Sequence, residues 1–215
     1  MKSRHLFMFG GGPPFSNKLG KRFTNLALNE KGKVAILFLE RDGWEKYMDK
    51  YTSMLKGNGL GDFVYLPVGP EYENKNLIEF KSCSGIIIGG GETELYQKYI
   101  VDTPIGERLK ELYNHGVPVA GFSAGALISP KNCVIPPIDN AKNKQLFLKG
   151  LGLIPDCVIS VHFSKWNEEE NLKIAMEKVN ASIGYGMDDG AGIYFFNENP
   201  SESEGDYYIY QNIGE

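Results

Sequence analysis

No part of this sequence limits the choice of fold as strongly as Gly116 to Ile128, GVPVAGFSAGALI, with Ser123 at its centre. A short apolar run, Val117 to Ala120, leads into Gly121-Phe122-Ser123-Ala124-Gly125, and small apolar residues suited to starting a helix follow. The pattern is that of a strand, a sharp turn and a helix, with the serine lifted above the end of a sheet. The glycines have a physical task there, because strand and helix approach so closely that a side chain at either place would clash. With 26 glycines in 215 residues, a G-x-S-x-G match arises from composition alone in roughly one such chain in six. The apolar run before it and the helix start after it give the pattern its meaning here.

An elbow of this kind needs a sheet with helices on it, and the rest of the chain supplies one. His5 to Phe9 reads as a strand closed by Gly10-Gly11-Gly12-Pro13-Pro14. Ser16 is placed to cap a helix whose apolar positions Leu19, Phe23, Leu26 and Ala27 follow the 3.6-residue period, with Gly32 as its stop. Val34 to Leu39 is a second strand, and Phe63 to Val68 a third. Between them runs a helix with Trp44, Met48, Tyr51 and Leu55 on one face, an aromatic stripe read as core. Asn74 to Phe80 is a short helix candidate. Gly85 to Ile88 is apolar enough to lie inside a parallel sheet, and Glu107 to His115 is an amphipathic helix. Beyond the elbow come a strand over Cys157 to Val161, a helix over Asn167 to Val179 with an Asn167/Glu170 capping-box pattern, and a strand over Ile183 to Met187. Gly192 to Gln211 reads as a terminal β-hairpin around the polar loop Asn197 to Gly205. The expected fold is a single α/β domain over residues 1–215, three-layered, with a mainly parallel central sheet and helices on both faces.

Composition narrows the function. A net charge of -4, with Lys and Arg together at 23 against 27 Asp and Glu, offers no basic surface for nucleic acid. Cys83, Cys133 and Cys157 lack C-x-x-C spacing and read as buried apolar residues in a reducing compartment. The apolar run Leu6 to Phe9 is too short for a signal segment, and no stretch is long enough to span a bilayer. A soluble, cytoplasmic protein without metal or cofactor is expected, acting on a small substrate as a monomer or homodimer.

Ligands of such sheets bind beyond the carboxyl ends of the strands, where the loops Gly10 to Pro14 and Gly89 to Glu94 join the elbow. A serine nucleophile there needs a base, and the chain holds three histidines. His5 begins a strand and His115 ends a helix just before one, so both belong to the opposite edge. His162 ends its strand on the Ser123 side. The orienting carboxylate should also follow a strand, which fits Asp188 and Asp189 after Ile183 to Met187, with Asp139 as a competitor; Asp156 begins its strand and points the wrong way. Serine, histidine, acid is not the order of an α/β-hydrolase. Gly89 to Gly91 lacks the Lys-Ser/Thr ending of a phosphate-binding P-loop.

Four motifs in order, the early Gly10 to Gly12, IIIGGGET at Ile86 to Thr93, GFSAGA at Gly121 to Ala126 and HF at His162-Phe163, resemble the dipeptidase E and cyanophycinase family of serine peptidases. The resemblance implies a class I glutamine amidotransferase-like fold with serine in place of cysteine. It places the acidic triad member of GYGMDDGAGI on Asp189, and implies hydrolysis of dipeptides with an N-terminal aspartate or of the aspartate-arginine polymer cyanophycin. Gly90 and Ala124 are the expected oxyanion donors, and Gly91, Glu92, Thr93 and Lys165 the expected substrate contacts. Family members of acidic specificity tend to carry arginine just after the HF pair, where this chain has Ser164-Lys165-Trp166, and Glu92 stands where asparagine is usual. A catalytically silent binding protein on the same scaffold, and a small-molecule esterase or amidase, are the rival readings.

Overall fold

The computed structural model describes residues 2–72 and 77–212. Five strands, β1 (His5–Phe9), β2 (Lys33–Phe38), β3 (Phe63–Pro67), β4 (Cys83–Ile88) and β5 (Val119–Phe122), run parallel in the order β1-β5-β4-β2-β3. After the elbow, β6 (Asn132–Ile135) and β7 (Leu146–Lys149) form a separate antiparallel pair, and β8 (Cys157–Ser160) lies parallel to β9 (Ile183–Met187). The chain then returns: β10 (Gly192–Phe196) pairs antiparallel with β1, and β11 (Asn199–Glu204) with β10, completing a seven-stranded sheet. Finally β12 (Tyr207–Gln211) joins β9 in the smaller sheet.

Alternate residues of the central strands feed two cores, as the two-residue period of a strand requires. Phe7, Phe9, Val34, Ile36, Ile87 and Phe122 face α1 (Asn17–Leu28) and α2 (Trp44–Gly57), which return Leu19, Phe23, Met48, Tyr51 and Leu55. Leu6, Met8, Leu37, Ile86 and Ile88 face the other way. There they meet α3 (Thr93–Tyr96), continued by a π-helical turn Gln97–Val101, then α4 (Pro104–Asn114) and the short elbow helix α5 (Ala124–Leu127). A third cluster packs α6 (Phe163–Trp166) and α7 (Glu169–Val179) on the smaller sheet through Phe163, Leu172 and Met176. Burying each of these large apolar side chains contributes about 1.5–3 kcal/mol. α4 starts three residues before the expected Glu107, with Pro104 in its first turn and the Thr103 hydroxyl accepting from the Gly106 N–H. Cys83, Cys133 and Cys157 are buried free thiols.

Several expectations change in detail. The terminal hairpin is β10–β11, turning at Asn197-Glu198, so most of the expected polar loop is strand; Tyr207–Gln211, expected as the hairpin's second arm, pairs with β9 instead. The Asn167/Glu170 capping box does not form. Asn167 closes α6 in the left-handed region (φ 54°), and α7 begins at Glu169 with no side-chain cap. Ser16 makes no side-chain cap to α1 either; the Glu204 carboxylate of β11 accepts from the Lys18 and Leu19 N–H groups at 2.8 and 3.3 Å. The expected helix Asn74 to Phe80 begins outside the described residues, and its end is a helical turn running into the 3-10 turn Phe80–Ser82.

Candidate active site

β5 delivers the nucleophile candidate. Ser123 sits directly after Phe122 with φ 47° and ψ -106°, a conformation that costs a non-glycine residue about 1–3 kcal/mol and persists only when its surroundings fix it. They do: the Ser123 N–H donates to the Phe9 carbonyl at 3.0 Å, and the Leu127 N–H to the Ser123 carbonyl at 3.0 Å. Both elbow glycines are pressed against backbone. A Cβ at Gly121 would lie 2.5 Å from the Gly125 carbonyl carbon, and one at Gly125 would lie 2.9 Å from the Ile88 carbonyl carbon.

The Ser123 Oγ lies 3.0 Å from Nε2 of His162. His162 follows β8 and is itself left-handed (φ 48°), held by its N–H to the Gly10 carbonyl at 2.9 Å and by its ring on Trp166, 4.3 Å between centroids. Its other ring nitrogen, Nδ1, is hydrogen-bonded to Oδ1 of Asp189, while Oδ2 of Asp189 pairs with the Lys165 ammonium at 3.3 Å. Burial would raise the Asp189 carboxyl, but the bonds to His162 and Lys165 outweigh it and hold the group below the usual aspartate range. With Nδ1–H donated to that carboxylate, Nε2 is the basic nitrogen facing the serine. The glycine-rich loop makes room for the acid, since a Cβ on Gly11 would lie 2.8 Å from the Asp189 Cα.

The competing carboxylates are engaged elsewhere. Asp188 accepts from the Ser164 N–H at 2.7 Å and its hydroxyl at 2.9 Å, anchoring the start of α6. Asp139 accepts from the Thr93 hydroxyl at 2.7 Å, and burial raises its carboxyl against the opposing pull of that bond and of His162. Thr93, expected to touch substrate, is therefore buried on Asp139. His5 bonds the Tyr194 hydroxyl at 2.8 Å and His115 the Glu111 carbonyl at 2.7 Å, both at the other edge of the sheet.

Around Gly90 the structure adds residues that sequence reasoning missed. The Gly90 N–H donates to the Tyr51 hydroxyl at 3.1 Å, and the Gly90 carbonyl accepts from the Tyr96 hydroxyl at 3.2 Å. Burial raises both phenols, so they are neutral donors and acceptors at any working pH. A Cβ on Gly90 would stand 3.5 Å from that of Ser123, which puts this loop beside the nucleophile. None of the hydrogen bonds among the described residues uses the Ala124 N–H at the start of α5. Glu92 is exposed and pairs with Arg41 at 3.5 Å, beside Gly91. The stripe Trp44, Met48, Tyr51 does pack as core through Met48 and Tyr51, but it also lines a cavity of 480 Å³ that opens onto Ser123 and His162. A second cavity, of 640 Å³, lies beyond Gly12 and His162 and is lined by Pro13, Phe15, Lys165 and Asp189. Among the described residues, no group of three His, Cys, Asp or Glu side chains is arranged to hold a metal ion, and no helix is long and apolar enough to cross a membrane.

Comparison with known proteins gives this geometry a lineage. A cyanophycinase of Geminocystis herdmanii is 28% identical over 148 residues, covering 66% of this chain and 54% of that protein, so the chain spans about half the length of this relative. The structure of a peptidase from an acI-B1 Actinobacterium superposes with a TM-score of 0.72 at 19% identity, over 97% of this chain and 88% of the other. That of a candidate peptidase E from Listeria monocytogenes superposes with a TM-score of 0.64 at 17% identity, over 98% and 99%. The fold is the class I glutamine amidotransferase-like fold of these peptidases. Residues 16–202 match the profile of peptidase family S51, and the chain belongs to that family.

Proposed function

We propose that the protein is a serine-type peptidase that hydrolyses dipeptides or short peptides through Ser123, His162 and Asp189. The observation that carries this reading is the unbroken line from Ser123 Oγ through the His162 ring to Asp189. His162 Nε2 takes the hydroxyl proton as Oγ attacks the scissile carbonyl, and the imidazolium so formed is stabilised by the Asp189 carboxylate. The same proton passes to the leaving amine as the C–N bond breaks. Water then adds to the acyl-enzyme, with His162 again as base, and releases the acid and the free serine. The Ala124 N–H is the first oxyanion donor; Gly90 is the second once its N–H turns from Tyr51 to the substrate oxygen. One such donor is commonly worth about 3 kcal/mol.

Gly91, Glu92 and Lys165 lie where substrate would pass. The pairing of Lys165 with Asp189 and of Arg41 with Glu92 works against a preference for an acidic residue, since the cations near the site already have carboxylate partners. Fluorophosphonate labelling together with a panel of X-Leu dipeptides tests the reading. Labelling that is lost in Ser123→Ala, with dipeptide turnover lost in parallel, is expected. A protein that labels yet cleaves only esters would be an esterase, and one that does neither would be a silent binding protein.

A further inference from the structure

The 480 Å³ cavity that opens onto Ser123 and His162 is walled on its far side by residues that the catalytic line does not use, Phe38, Trp44, Tyr47 and Met48 among them. Phe38 at the end of β2 meets Trp44 at the start of α2, 4.7 Å between ring centroids, and Tyr47 meets Tyr51 edge to face at 5.8 Å. Tyr47 is 42% exposed at the rim, with the Lys50 ammonium 4.7 Å from its ring centroid. Its hydroxyl reaches across to the glycine-rich loop, where a Cβ on Gly12 would stand 3.3 Å from it. The result is an aromatic wall running from α2 to the nucleophile.

The charge on this wall cancels. Arg41 and Asp42 both line the cavity, and Arg41 is paired with Glu92 at 3.5 Å. A substrate carboxylate entering here would give up water for aromatic faces, the Asp42 side chain and a cation already paired with Glu92. An aromatic or branched aliphatic side chain would instead lose unfavourable hydration and gain ring contacts. The volume lies within the roughly 300–1,000 Å³ typical of pockets for small organic groups.

We infer that this cavity is the specificity subsite, taking an aromatic or bulky aliphatic side chain of the substrate residue next to the scissile bond, with Trp44 and Tyr47 selecting it. The inference rests on the peptidase reading, and its test is made independent of turnover. In the Ser123→Ala variant, Phe-Gly, Gly-Phe, Asp-Gly and Gly-Asp are titrated by calorimetry. At one of the two positions the Phe dipeptide is expected to bind at least about tenfold more tightly than its Asp counterpart. Adding Tyr47→Ala or Trp44→Ala should cut that ratio at least about threefold. Trp44 also packs on Phe38 and Tyr65, so the Tyr47 variant, altered at an exposed ring, carries the test if the Trp44 variant does not fold.

Equal or tighter binding of the Asp dipeptides at both positions overturns the inference, as does an unchanged ratio in the folded variants or no binding of any of the four at millimolar concentration. Turnover of the same dipeptides by the unaltered protein reports separately on the peptidase. Selective binding without turnover keeps the subsite and removes the peptidase, and turnover without selectivity does the reverse.

Discussion

Replacing Gly125 by alanine tests whether the elbow is set by backbone contact. The added Cβ would lie 2.9 Å from both the carbonyl carbon and the Cβ of Ile88, with the carbonyl oxygen nearer still. Carbon atoms in good contact stand about 3.5–4.0 Å apart, so the overlap is at least about 0.6 Å. It cannot be relieved by a side-chain rotation, because Ile88 ends β4 and is paired on both sides, with Leu37 and Gly121. Overpacking typically costs 1–3 kcal/mol, and a rigid backbone partner puts this case near about 3 kcal/mol. For a chain of this length that is a fall of about 6–12 °C in Tm. The relief available is to push α5 away from β4, which carries Ser123 Oγ off its 3.0 Å contact with His162; a misplacement of about 1 Å can cost about 100-fold in rate. Gly57→Ala is the control, since nothing lies within 4 Å of a Cβ there, and it is expected to stabilise by about 0.5–1 kcal/mol. Thermal melting and the rate of fluorophosphonate labelling read the two effects. A Gly125→Ala protein that melts within about 2 °C of the parent and labels at the parental rate would show that the contact does not set the elbow.

His162→Ala is expected to lower dipeptide turnover as far as Ser123→Ala does, because triad members act as a unit, while His5→Gln and His115→Gln keep parental kcat. Asp189→Asn should cost about 10³–10⁴-fold in kcat by favouring the wrong imidazole tautomer, with the melt little changed. Asp188→Asn should lower Tm by loosening Ser164 and spare turnover; full activity in Asp189→Asn with loss in Asp139→Asn would move the orienting acid to Asp139. Glu204 is raised by burial but lowered further by the nearby Ser16 side chain and by hydrogen bonds from the Lys18 and Leu19 N–H groups, so its folded pKa is below the unfolded one. Its contribution is therefore present above about pH 4.3 and lost as pH falls through the folded value. Glu204→Gln should lower Tm at pH 7 and converge on the parent in acid, whereas an equal deficit at both pH values would contradict the assignment.

The sheet was legible because its strands are apolar runs, buried on both faces, separated by helices of clear period: Val34 to Leu39 and Gly85 to Ile88 are found within a residue or two. Ser123 and His162 could be placed by which end of a strand they occupy; strand ends left Asp188, Asp189 and Asp139 open, and the family resemblance pointed to Asp189, which the structure sets against His162. The β6–β7 pair escaped notice because each arm is four residues long and Pro136-Pro137 reads as loop. The capping box failed because Asn167 took a left-handed conformation that closes α6, an outcome of tertiary packing with no local signal. Tyr51 was read correctly as core and incompletely as chemistry. Helical spacing tells which face a tyrosine ring joins, but not which distant carbonyl or N–H its hydroxyl finds.

The two phenols on Gly90 belong to different halves of the molecule: Tyr51 is rooted in the layer of α1 and α2, and Tyr96 in the layer of α3 and α4 across the sheet. Gly90, whose N–H and carbonyl belong to two successive peptide groups beside the nucleophile, is thus the joint at which both layers pull. If either layer slackens, the loop that must turn the Gly90 N–H from Tyr51 to the substrate oxygen loses its set position before any strand has separated. Catalytic competence is then expected to be lost at a lower temperature than the fold, and substitutions deep in either core, such as at Leu55 or Ile100, are expected to lower turnover more than their effect on the melt would indicate.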